Sequence, residues 1–88
     1  MFTTAPISIV VLDRGFVFVG RVTTTDEGMY IEGARAIRKW GTTKGLGQLV
    51  DGPTKETVLD APATVRPQLK AVIFTIDVDQ TKWTGHIK

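Results

Sequence analysis

The chain has 88 residues, no cysteine and a formal net charge of +2. That is the length of one small domain, which buries only about 60–65% of the surface its unfolded chain exposes, so its core is thin. The composition excludes a disulfide-built scaffold, and the small net charge excludes a general polyanion coat.

A thin core without disulfides gains stability from a ligand, a metal or a second subunit, and self-association is the simplest route for a β-rich chain. A homo-oligomer is therefore expected. The first residues lack a basic leader, and the apolar run Ile7 to Leu12 is too short for a signal core or a membrane span. The expected setting is cytoplasmic, with no membrane partner.

Ile7–Leu12 and Phe16–Thr24 are rich in β-branched and aromatic residues and flank Asp13-Arg14-Gly15, the pattern of a hairpin in which Gly15 takes positive φ. Phe16 to Val19 is apolar on both faces and the rest of that strand on one, so it runs out of the core towards solvent. Asp26-Glu27-Gly28 reads as a three-residue loop, followed by a short strand Met29–Glu32.

Ala34 to Trp40 fits either period. A helix places Arg35, Arg38 and Lys39 on one face, whereas a strand alternates Ala36, Arg38 and Trp40 with Arg35, Ile37 and Lys39. Seven residues between Gly33 and Gly41 are few for a helix, which favours the strand. Gly41 to Gly47 is a loop by composition, and one helical turn fits at 46–50 before Asp51-Gly52-Pro53.

Thr57–Leu59 and Thr64–Arg66 are short extended pieces around Asp60-Ala61-Pro62. In Lys70 to Val78, the residues Val72, Phe74, Ile76 and Val78 form one apolar face and Ala71, Ile73, Thr75 and Asp77 the other, and this is expected to be a central strand. The tail from Gln80 has no period, and Trp83 is its one candidate to pack back onto the body. The fold class expected is mainly β, a single-domain barrel or sandwich of five to seven short strands.

Charge is uneven along the chain. Residues 33–50 hold Arg35, Arg38, Lys39 and Lys44 and no acid, together with Trp40, Gly41, Gly45 and Gly47. This segment is the candidate binding surface, with Thr42, Thr43 and the loop amides able to hold an anion while Trp40 stacks on a planar ring. The glycine spacing fits neither a phosphate loop, which needs Gly-Lys-Ser/Thr after four residues, nor a dinucleotide fingerprint, since Val50 stands where the third glycine falls. The competing reading is a structural connection with Trp40 as a core anchor. Exposure of Trp40 beside Arg38 and Lys44 favours binding, and burial against Ile37 and Phe74 favours scaffold. Arg14, Arg21 and Arg66 are further basic residues that the fold could bring to the patch.

Catalytic chemistry finds little support. Ser8 is the only serine and lies in an apolar strand, His86 is the only histidine, and no triad can be assembled from them. Asp77 and Asp79 share one strand face and could share a metal or a proton, but two carboxylates with no third acid or histidine nearby make a poor site. The chain is expected not to be an enzyme, and no cofactor or metal is implied.

The words Arg38-Lys-Trp-Gly-Thr-Thr-Lys-Gly-Leu-Gly-Gln-Leu49, Gly52-Pro-Thr-Lys-Glu-Thr-Val-Leu-Asp60 and Val72-Ile-Phe-Thr-Ile76 resemble a family of small bacteriophage and bacterial proteins with no assigned activity. The resemblance spans about residues 12–77 and transfers no site residue. It implies a phage or prophage context, in which the cytoplasm is that of a bacterial host and a host protein is a possible partner.

Three functions fit these residues. The first is a non-enzymatic binding module whose 35–47 segment engages an anionic small molecule such as a nucleotide, or an acidic partner surface. The second is a nucleic-acid binder using Arg35, Arg38, Lys39, Lys44 and Trp40, with affinity that falls steeply with salt. The third is a structural subunit of a larger assembly.

Overall fold

A computed structural model describes residues 5–87. Six strands form one antiparallel sheet: β1 (Ile7–Leu12), β2 (Val17–Thr25), β3 (Gly28–Lys39), β4 (Val58–Leu59), β5 (Ala63–Val65) and β6 (Val72–Asp77). Their order is β4-β3-β2-β1-β6, and β5 pairs with β3 as well. The mainly β expectation therefore holds, with the sheet left unclosed. Short 3-10 segments cover Asp13–Gly15, Leu46–Asp51 and Leu69–Ala71, and a short helix α1 (Gln80–Trp83) follows β6. No helix among the described residues is long and apolar enough to cross a membrane.

Strand β1 is central because both of its faces are apolar. Ile7 and Ile9 enter one cluster with Val17, Val19 and Ile37, which is covered by Leu49, Val78, Trp83 and Ile87. Val10 and Leu12 enter a second with Met29, Ile31 and Ala34, against which Val65 and Val72 pack. Val65 and Val72 come from opposite margins of the sheet, so the sheet curls around this second cluster.

The curl has a local cause in β3. Between the pairs Arg21↔Glu32 and Val19↔Arg35, β2 advances two residues while β3 advances three, which is a bulge. Gly33 takes φ 61° there. Opposite it, Gly20 has no room for a side chain, because a Cβ would lie 2.7 Å from Ile31 Cγ2 and 3.0 Å from Ala34 Cα. The extra residue lets Met29, Ile31 and Ala34 share one cluster although their numbering changes parity.

The first hairpin forms as expected, with Gly15 at φ 83° and Arg14 also left-handed at 61°. Burial fades along β2, and residues 34–39 are strand, both as the sequence suggests. Three expectations need correction. The Asp26-Glu27 loop has two residues, since Thr25 pairs with Gly28. The strand expected at 29–32 is twelve residues long, the bulge absorbing Gly33 in place of a break. Among the described strands, β6 is an edge and pairs only with β1.

Candidate functional site

Strand β3 carries Arg35, Arg38 and Lys39 and then delivers Trp40 to the loop at 41–45. The loop is pinned from below by the segment 54–57. Thr57 Oγ1 donates to the Trp40 carbonyl and Thr54 Oγ1 to the Gly41 carbonyl, each at 2.6 Å. Gly41 is left-handed at φ 66° and lies so close to the Glu56–Thr57 backbone that a Cβ would collide with it.

The structure separates the four basic residues. Arg35 is half-buried and its guanidinium is spent on carbonyl oxygens: Nε on Asp60 at 2.6 Å, Nη2 on Leu59 and Nη1 on His86, both at 3.4 Å. It ties β3 to β4 and to the carboxy-terminal segment, which is a scaffold role. Arg38 points outward and pairs with Asp60 at 2.8 Å, both groups solvated. Lys39 lies 4.0 Å from Glu56, also in solvent. Lys44 is exposed on the loop.

Trp40 is 41% exposed. Burial against Phe74 is ruled out by topology, since Phe74 lies on β6 at the opposite margin of the sheet. Arg38, Lys39 and Lys44, neighbours of Trp40 in sequence, are exposed as well, and Lys55 is exposed on the supporting segment.

The loop amides are already occupied. The N–H groups of Thr43 and Lys44 donate to the Gln48 carboxamide oxygen at 3.0 and 2.9 Å, and the Thr43 hydroxyl lies 3.5 Å from it. The glycine-rich loop thus converges two donors on one oxygen, as an anion requires, but the chain supplies that oxygen itself. Gln48 was not legible as this partner, because a four- or five-residue reach from a 3-10 turn has no sequence signature. Thr42 is half-buried and adds no hydrogen bond among those described.

Arg14 lies in the 13–15 turn at the end of the sheet where β3 runs out, and Arg21 and Arg66 go elsewhere. Arg21 donates to the Ala5 carbonyl at 3.0 Å. Arg66 stacks over Tyr30, 4.8 Å from the ring centre, at the mouth of an open cleft of about 530 Å³ lined by residues 27–30 and 66–70. The cleft has no counterpart in the sequence reading, since its two walls are forty residues apart. Asp79 lies beyond β6 and caps α1, its Oδ1 accepting from the Thr81 and Lys82 amides, so it does not share a strand face with Asp77. Among the described residues no three acids or histidines gather as metal ligands.

Comparison with protein-family models, with curated proteins and with solved structures gives no match, so geometry and chemistry alone speak for the site.

Proposed function

We infer that the chain is a non-enzymatic binding module that engages an acidic surface of a partner protein through Arg38, Lys39, Trp40 and Lys44. The observation that carries this reading is the exposure of Trp40 together with that of its sequence neighbours Arg38, Lys39 and Lys44. Aromatic and cationic side chains on an open face suit a macromolecular surface, where the ring supplies apolar area and the cations supply orientation. A small anion is better held by convergent amides in a concave site. Here those amides are filled by Gln48, so a free nucleotide has to displace an internal hydrogen-bond acceptor.

Trp83 is fully buried and Trp40 is not, so a bound partner changes the emission of Trp40 selectively. The test is a fluorescence titration with a glutamate-rich peptide, a nucleotide and cyclic dinucleotide panel, and single- and double-stranded oligonucleotides, each at two salt concentrations. The peptide is expected to shift Trp40 emission and to bind less tightly at high salt and in Arg38→Ala. Binding of nucleotides alone replaces the reading with the small-molecule one, and binding of oligonucleotides with a steep salt slope replaces it with the nucleic-acid one. Silence from all three abandons the surface.

A further inference from the structure

A second exposed feature lies far from that surface, at the other margin of the sheet. Among the described residues, strand β6 pairs with β1 on one side only, so no described strand lies beside its outer backbone edge from Val72 to Asp77. Ile73 and Phe74 on this edge are 60% and 50% exposed, and Leu69, just before it, is exposed as well. Edge strands in monomeric proteins are blunted by lysine, proline or an inward charge. Residues 71–76, Ala-Val-Ile-Phe-Thr-Ile, carry none of these, and their one protective irregularity is a bulge near the amino end. A bulge between the pairs Val11↔Phe74 and Leu12↔Val72 makes Ile73 the extra residue, which leaves Phe74 to Asp77 in regular register.

The charges flanking the strand decide what fits against it. Lys70 precedes β6, and Asp77 and Asp79 close and follow it. A second β6 laid parallel puts Lys70 beside Lys70 and Asp77 beside Asp77. Laid antiparallel about a two-fold axis at Phe74, it puts Lys70 of each copy, in the turn before the strand, towards the 77–79 stretch of the other, at both ends of the interface. The same operation brings the two exposed Phe74 side chains together at the centre. One strand is thus complementary to itself in charge and in apolar character, which is the requirement for an isologous interface.

We propose that two copies of this chain dimerise by antiparallel pairing of their β6 edges, joining two six-stranded sheets into one continuous sheet. The dimer completes the hydrogen bonds of the outer edge and covers Ile73 and Phe74. It also leaves the Trp40 surface on the far margin of each sheet, so a dimer presents that surface twice. The proposal does not depend on what Trp40 binds.

The test is the mass of the whole chain in solution by light scattering and sedimentation, across a concentration series. The expected result is twice the 9.6 kDa chain mass. Ile73→Lys and Phe74→Lys are each expected to raise the dissociation constant about thirtyfold or more while leaving the far-ultraviolet spectrum and melting curve of the monomer intact. Lys70→Asp weakens the dimer, and adding Asp77→Lys to it restores the pairing with the charges exchanged. A chain that stays monomeric at high micromolar concentration overturns the proposal. So does a dimer that survives both lysine substitutions, or one that Lys70→Asp weakens and Asp77→Lys fails to restore. If the wild-type chain is monomeric yet captures a foreign β-strand peptide at this edge, the second copy is the wrong occupant.

Discussion

The carboxamide of Gln80 takes the place of a strand beside Ile7: its Oε1 accepts the Ile7 amide at 2.7 Å and its Nε2 donates to the Ile7 carbonyl at 2.8 Å. β6 has already ended at Asp77, opposite Ser8, so a side chain completes the ladder one residue further. The same Nε2 also donates to the Val78 carbonyl at 3.1 Å. Gln80→Ala is expected to cost about 1–2 kcal/mol, because it leaves both backbone groups of a buried residue without their partner. Gln80→Glu keeps the acceptor and loses the donor, so it is expected to fall between the two in denaturant unfolding. Hydrogen exchange at the Ile7 amide separates the variants, being fast in Gln80→Ala and slow in wild type.

Trp83 closes the first core cluster and donates its indole N–H to the Leu49 carbonyl at 2.7 Å, with both residues fully buried. Trp83→Phe is expected to destabilise by about 2–4 kcal/mol, from lost volume and from an acceptor left without a donor. The measurement is chemical denaturation followed by circular dichroism, since the substitution removes one of the two fluorophores. A loss below about 1 kcal/mol shows that the indole bond is dispensable.

Two glycines make opposite predictions. Gly20→Ala drives a methyl group into Ile31, the Ala34 backbone and the Glu32 carbonyl, and is expected to cost at least about 2 kcal/mol or to prevent folding. Gly47 sits in the 46–51 turn with open space around its Cβ position and no positive φ. Gly47→Ala is therefore expected to stabilise by about 0.5 kcal/mol through the unfolded chain. Thermal melts of the pair check both signs in one experiment.

Arg35 and Arg38 are three residues apart and are expected to behave in opposite ways. Arg35→Ala releases three carbonyl contacts that hold β3 to β4 and to residue 86, and should lower stability by about 1–3 kcal/mol with little direct effect on a ligand at Trp40. Arg38→Ala removes a solvated ion pair, so stability should move by less than about 0.5 kcal/mol while binding at the Trp40 surface weakens. Paired unfolding and titration curves distinguish the two; equal losses of stability contradict the separation of roles.

The hairpin at Gly15, the turn at 46–51 and the extended course of residues 34–39 were all legible because each depends on local chemistry: a glycine, a loop composition, a segment too short for a helix. Trp40 could be found as a candidate from its neighbours, and only its exposure needed coordinates. What was not legible is pairing at a distance. Periodicity reports which faces of a strand meet apolar neighbours and says nothing of how many edges are hydrogen-bonded, which is why β6 reads as central and stands at the margin. Arg35 and Arg38 are alike in sequence and differ in the structure because Asp60 and residue 86 arrive from elsewhere in the chain. The helix at Gln80–Trp83 is a single turn, too short to show a period, and its signal is only the Asp79 cap.

Placing β1 between β2 and β6 also imposes an order of events on the growing chain. The hairpin of β1 and β2 can zip early, since its residues are neighbours in sequence. The other flank of β1 waits for a strand made more than sixty residues later, and for the residue-80 side chain after that. Until then the most apolar strand of the protein has an open side, which is the interval in which a nascent chain meets chaperones or other copies of itself. Completion of this fold is thus tied to the emergence of residues 72–80, and a chain stopped short of them keeps its first strand unfinished.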